Sequence, residues 1–99
     1  MGTVKRNRSV VVKADYDRSV DVLYIARGER VPAEGEGLPD GIELDYALAD
    51  GTPCGATIIG YRRNGWPEKL EQLTRILAAH LSVGTKRLAG AIRTAVGSR

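Results

Sequence analysis

Tyr16-Asp17-Arg18-Ser19-Val20-Asp21-Val22-Leu23-Tyr24-Ile25 sets the architecture, because a polar turn runs directly into a strand that holds one carboxylate, Asp21, among apolar neighbours. Upstream, Ser9 to Tyr16 alternates: Val10, Val12, Ala14 and Tyr16 share one side and Lys13 and Asp15 the other, the period of a half-buried strand. Asp17-Arg18-Ser19 supplies short polar side chains that bond their own backbone, so the two strands form a hairpin. Val20 to Arg27 then places apolar residues on both sides, Leu23 and Ile25 against Val20, Val22 and Tyr24, which marks a strand with neighbours on either edge.

Working outward, Gly28 to Asp40 is rich in Gly, Glu and Pro and reads as a solvent-exposed connection without an element of its own. Gly41 to Tyr46 alternates Ile42, Leu44 and Tyr46 against Glu43 and Asp45, and Ala49-Asp50-Gly51 turns the chain into a further strand over Pro53 to Arg62. Asn64-Gly65 closes the sheet. Pro67 suits a first helical turn, with Glu68 and Glu71 near the positive end of the dipole, and Leu70, Leu73, Ile76, Leu77 and Leu81 recur at three- and four-residue steps. The spacing predicts a helix from Pro67 to about Leu81, ended near Gly84. Leu88, Ile92, Ala95 and Val96 repeat the pattern weakly, so a final helix interrupted by Gly90 is marginal unless it finds a partner.

The expected fold is α+β: an antiparallel sheet of about four strands in two hairpins, packed on one face by the helix. At 99 residues there is room for one domain. Residues 1–8 form a basic N-terminal arm, 9–83 the domain, and 84–99 a basic tail or short helix. Charge is distributed unevenly. All twelve carboxylates lie between Asp15 and Glu71 with only six bases, which gives that span a formal charge of −6, whereas both ends are purely basic.

The single cysteine, Cys54, cannot form an internal disulfide, and neither a signal-peptide stretch nor a run of the roughly 20 apolar residues needed to span a bilayer occurs. Arg6 stands where a myristoylation signal after Met1-Gly2 needs Ser or Thr. The expected compartment is the cytoplasm, with no membrane association.

The ordered set Tyr16-Asp17, Asp21-Val22-Leu23-Tyr24-Ile25, Asp40-Gly41-Ile42-Glu43-Leu44-Asp45, Asp50-Gly51 and Gly55 resembles the bacterial family grouped as domain of unknown function twenty-two eighty-three. The likeness spans about half the chain. Two residues after the glycine matching Gly55 the family usually places Glu, where this chain has Thr57, and the segment from Pro67 onward extends past the usual domain. The resemblance implies a small, uncharacterised cytoplasmic protein; some members are assigned antitoxin-like pairing with a small partner.

Four acids, Asp15, Asp17, Asp21 and Asp45, could form a carboxylate cluster for acid–base work or a hard cation, but turn and strand positions explain them more simply. Asp21 stands apart, because inside a buried strand it needs an Arg or backbone donors. His80 lies at the edge of the helical stripe and reads as a packed, hydrogen-bonded side chain, and Cys54 as a small buried hydrophobe. Gly84-Thr85-Lys86 lacks the rest of a phosphate loop, and Gly35-Glu36-Gly37 the rest of a dinucleotide fingerprint. Trp66 anchors the helix start. No cofactor or metal motif is complete, so the chain reads as non-enzymatic.

Two functional readings follow. In the first, both faces of the second strand need cover while one helix covers one, so Tyr24 and its neighbours meet a homo-oligomer copy or another small protein. In the second, Lys5, Arg6 and Arg8 join Lys86, Arg87 and Arg93 to contact nucleic acid.

Overall fold

A computed structural model describes residues 10–97. Five antiparallel strands form one sheet: β1 (Val12–Asp17), β2 (Val22–Arg27), β3 (Ala33–Gly37), β4 (Ile42–Ala47) and β5 (Pro53–Ile59), in spatial order β1-β2-β5-β4-β3. Two helices, α1 (Leu70–Leu81) and α2 (Thr85–Gly97), follow. The α+β class and both expected hairpins are present. β5 returns between β2 and β4, so β2 is an interior strand, and Pro53 opens β5 at the position where a missing donor costs least.

The fifth strand corrects the reading of Gly28 to Asp40 as a bare connection. Ala-Glu-Gly-Glu-Gly has no apolar alternation, and every residue of β3 is exposed; the strand exists because β4 offers it a backbone ladder, from Ala33 opposite Ala47 to Gly37 opposite Glu43.

One face of the sheet carries Leu23, Ile25, Ile42, Ala56 and Ile58, all buried beneath the helices with Leu73, Leu77 and Leu81 of α1. Full burial of one such side chain stabilises by roughly 1.5–3 kcal/mol relative to exposure. Helix α2 is part of the same core: Leu88 and Ile92 are completely buried, and the helix packs against α1 and β1. The marginal final helix therefore finds its partners within the chain. The domain extends past residue 83, through a short link at Ser82, whose left-handed φ is 56° and whose backbone N–H closes α1 by donating a hydrogen bond to the Ala78 carbonyl.

Helix α1 is hung from the β3–β4 connection. The Trp66 indole, 2% exposed, donates to the Asp40 carbonyl at 3.0 Å, and the Asn64 amide donates to the Asp40 and Ile59 carbonyls, each at 3.1 Å. Gly41 permits this approach: its φ is +84°, and a Cβ there would strike the Ile59 carbonyl.

Candidate functional site

The helices cover one face, which leaves the other open. Lys13, Asp15 and Asp17 of β1, Val22, Tyr24 and Ala26 of β2, Glu43 and Asp45 of β4, and Thr57 and Ile59 of β5 point to it by strand alternation. The register aligns Asp15, Tyr24, Thr57 and Glu43 in one row across the sheet, and Lys13, Ala26, Gly55, Asp45 and Gly35 in the next. This corrects the expectation of an oily second face. Tyr24 and Val22 are half-buried and Ile59 exposed, but acids frame them.

Tyr24 has Arg30 over its ring at 5.9 Å, and the same guanidinium pairs with Asp15 at 2.8 Å. Both partners are largely exposed, so the pair is worth at most about 1 kcal/mol. Beside them a hollow of about 650 Å³ opens between Tyr24, Arg30 and the first hairpin turn. Asp45 accepts from the Thr57 hydroxyl at 3.2 Å. A hydrogen bond to the Asp45 carboxylate, helped by partial burial and the Asp45 charge, raises the Glu43 carboxyl above its ordinary range.

Asp21 belongs to a different structure. It sits in the turn before β2 with a φ of 59°, not inside the strand. Its carboxylate accepts from the Tyr16 hydroxyl at 2.7 Å and the Arg62 and Arg63 amides at 2.8 and 3.0 Å, while its carbonyl accepts from the Gly60 and Tyr61 amides. The predicted need for backbone donors is met, and Asp21 clamps the first turn to the end of β5. Asp17 accepts from the Ser19 amide and hydroxyl as a turn former. The four aspartates are thus dispersed, and among the described residues no group of three or more His, Cys, Asp or Glu is placed to hold a metal ion.

Trp66 is buried as the helix anchor, with the Lys69 ammonium 4.5 Å from its ring centre. His80 reaches the sheet: its Nε2 lies 3.1 Å from both the Asp45 and the Gly55 carbonyls, and its ring meets Tyr46 edge-on at 5.0 Å. Partial burial pushes the Cys54 thiol up, and the charges of Asp45 and Asp50 push it further, opposite to an activated nucleophile.

The basic residues flank the other side of the molecule. Lys86 and Arg93 line a groove of about 620 Å³ between α1 and α2, together with Arg75 and Glu71, which pair at 3.0 Å. Arg87 instead donates to the Val10 carbonyl at 2.7 Å. Lys5, Arg6 and Arg8 lie outside the described residues.

Arg30, Glu43 and Thr57 completed the open face without having been singled out from sequence. The alternation of Glu43 with Asp45 around Leu44 was the available signal for one of them; the Arg30 contact depends on how the loop after β2 folds back. No protein-family model, curated protein or solved structure matches this chain.

Proposed function

We propose that the chain is a non-enzymatic interaction module whose open sheet face takes a basic partner protein. The observation that carries this is the row Asp15, Tyr24, Thr57, Glu43 with Asp45 beside it: an aromatic and aliphatic centre framed by carboxylates on the face the helices leave bare. Such a surface combines a contact area with a charge that steers opposite charge and repels its own kind. Asp15 is already paired with Arg30 and Lys13 stands on the same face, so the charge that favours a basic second protein over a second copy is that of Glu43 and Asp45. The family resemblance suggests antitoxin-like pairing with a small partner, to which the acidic face adds the expectation that the partner is basic.

The test is capture from host extract with the wild-type chain and with a variant carrying Asp15→Asn, Glu43→Gln and Asp45→Asn, followed by titration of the purified candidate. A basic protein held by the wild type, released by moderate salt and lost from the variant supports the proposal. Equal retention by both chains, or a self-associated dimer in sedimentation with no bound protein, overturns it.

A second reading, nucleic-acid contact, is supported by Lys86 and Arg93 lining one groove with Arg75. It requires affinity for single or double strands to fall with salt at a log–log slope of about −0.7 to −0.9 per phosphate neutralised, and a loss on replacing Lys86 and Arg93 with Gln.

A further inference from the structure

β3 is an edge strand of the sheet. In an antiparallel ladder alternate residues turn both backbone groups toward their neighbour, and the residues between them turn both away. The Leu48 amide bonds the Pro32 carbonyl at 3.0 Å and the Leu38 amide the Ile42 carbonyl at 2.7 Å, so positions 32, 34, 36 and 38 face β4. The amides and carbonyls of Ala33, Gly35 and Gly37 therefore point outward, past side chains no larger than a methyl group.

Edges of this kind are usually blunted by charged side chains, lysine above all, by proline or by a bulge. β3 has no lysine, proline or bulge, the register shift in the sheet lying between Asp45 and Tyr46 on the other side of β4; its guards are Glu34 and Glu36, which repel acidic strands and a second copy but not a basic one. The opposite edge differs, because α2 packs on β1 and Arg87 occupies the Val10 carbonyl.

The charge around β3 is one-signed on both faces. Glu34 and Glu36 project with Leu44 and Tyr46 on the helix side, where Glu36 accepts from the Tyr46 hydroxyl at 3.1 Å. On the open side the Glu43 carboxylate leans over Gly35, filling the place a Cβ would take. Two β3 edges brought together would oppose glutamates, whereas a basic strand would find a carboxylate on each face. At the start of β3, Val31 and Leu48 are 47% and 60% exposed beside a hollow of about 470 Å³ whose wall also carries Arg27, Glu29 and Asp50.

We infer that β3 is a strand-addition site for an extended, Lys/Arg-rich segment of a partner protein, bonded to the outward backbone groups of Ala33, Gly35 and Gly37 between Glu34, Glu36 and Glu43. This rests on the interaction-module reading and specifies how the partner engages. Backbone bonds supply the attachment, and the alternating carboxylates select basic residues.

The experiment uses the isotope-labelled full chain and two synthetic heptapeptides, Lys-Val-Lys-Val-Lys-Val-Lys and Lys-Pro-Lys-Pro-Lys-Pro-Lys. They carry the same charge, but the second lacks alternate amide donors. The valine peptide is expected to slow hydrogen exchange at the Ala33, Gly35 and Gly37 amides, and the proline peptide to leave it unchanged. Gly37→Pro deletes one outward donor that β4 does not use, at a position where a Cβ meets nothing within 4 Å; with urea titration confirming wild-type stability, its affinity should fall roughly tenfold. Glu34→Lys with Glu36→Lys, both exposed, weakens binding by a similar factor. Equal binding of both peptides without protection of the three amides overturns strand addition and leaves the open face as the docking surface. Failure of both peptides to bind, while a basic protein is still captured by the wild-type chain, overturns it as well.

Discussion

The Tyr16 hydroxyl and the Asp21 carboxylate meet at 2.7 Å across the first hairpin turn, and that bond ties β1 to the residue that also holds the Arg62 and Arg63 amides. Tyr16 in turn packs edge-on against Tyr61 at 5.8 Å and accepts from the Arg62 guanidinium at 3.2 Å. The turn that opens the sheet and the turn that leads into the helices are thus one unit. The carboxylate that looked like a functional oddity in sequence is the joint between layers.

Asp21→Ala is expected to cost about 1–3 kcal/mol in chemical denaturation, because two amides and a hydroxyl lose their acceptor and the left-handed backbone loses a side chain that tolerates it. Asp21→Asn keeps the conformation and one acceptor oxygen, and should cost less. Desolvation acts to raise the Asp21 carboxyl, but the Arg62 and Arg63 amides, the Tyr16 hydroxyl and the Arg63 charge together hold it below its ordinary range. A lowered folded value means that its stabilisation is complete above the unfolded carboxylate range and is lost as pH falls through the folded value. Denaturation midpoints measured from pH 6 to pH 2 should fall less steeply in Asp21→Asn than in the wild type.

Glu43 carries the opposite sign. Its carboxyl is raised in the folded chain, so ionising it works against the fold as pH climbs from the unfolded toward the folded value. Glu43→Gln removes the charge and keeps the shape. We expect the variant to be as stable as the wild type or more so at pH 7, with the difference shrinking toward pH 4, in paired urea titrations. A variant that is less stable at pH 7 would show that the Glu43 charge has a favourable partner.

The hairpins and α1 were legible because each announces itself within a short window: alternation in Gly41 to Tyr46, and three- and four-residue spacing from Leu70 to Leu81. β3 was not, since a strand of Ala, Glu and Gly has no side-chain signal and forms only because β4 is beside it. The polar character of the open face was half legible. Glu43 and Asp45 were assigned to one side of their strand, but their alignment with Asp15, Tyr24 and Thr57 is a matter of register across β5, which returns to the middle of the sheet. Trp66 is the buried anchor its context implied, whereas Cys54, read as a buried hydrophobe, is only half-buried. The Asp21 clamp spans 41 and 42 residues to the Arg62 and Arg63 amides, a distance over which no local pattern speaks.

The status of α2 can be decided by cutting it away. Leu88 and Ile92 are fully buried in the core cluster, so a chain stopped after Val83 would uncover the side of α1 and β1 that they cover. Leu88→Ala should cost about 2–5 kcal/mol in thermal or urea unfolding, and the truncated chain should lose cooperative unfolding altogether. A truncated chain that melts cooperatively at the wild-type temperature would make α2 an appendage after all. Partner capture is for this reason better tested with surface charge variants than with the shortened chain.

His80 fixes the irregular point of the sheet. Both of its Nε2 contacts are carbonyl oxygens, Asp45 and Gly55, which only accept; Nε2 must therefore carry a hydrogen and share it between them. These carbonyls sit where the β4–β5 register shifts between Asp45 and Tyr46, and where Gly55 is required because a Cβ would strike the Ile25 carbonyl. His80→Ala leaves the two carbonyls without that donor and removes the edge contact to Tyr46, at an expected cost of about 1–3 kcal/mol. Its effect should appear as faster amide exchange in β4 and β5 beside the shift, with β1 unaffected. Nitrogen-15 correlation spectra of the ring should show the proton on Nε2. A neutral ring protonated on Nδ1 would mean that His80 does not hold this joint.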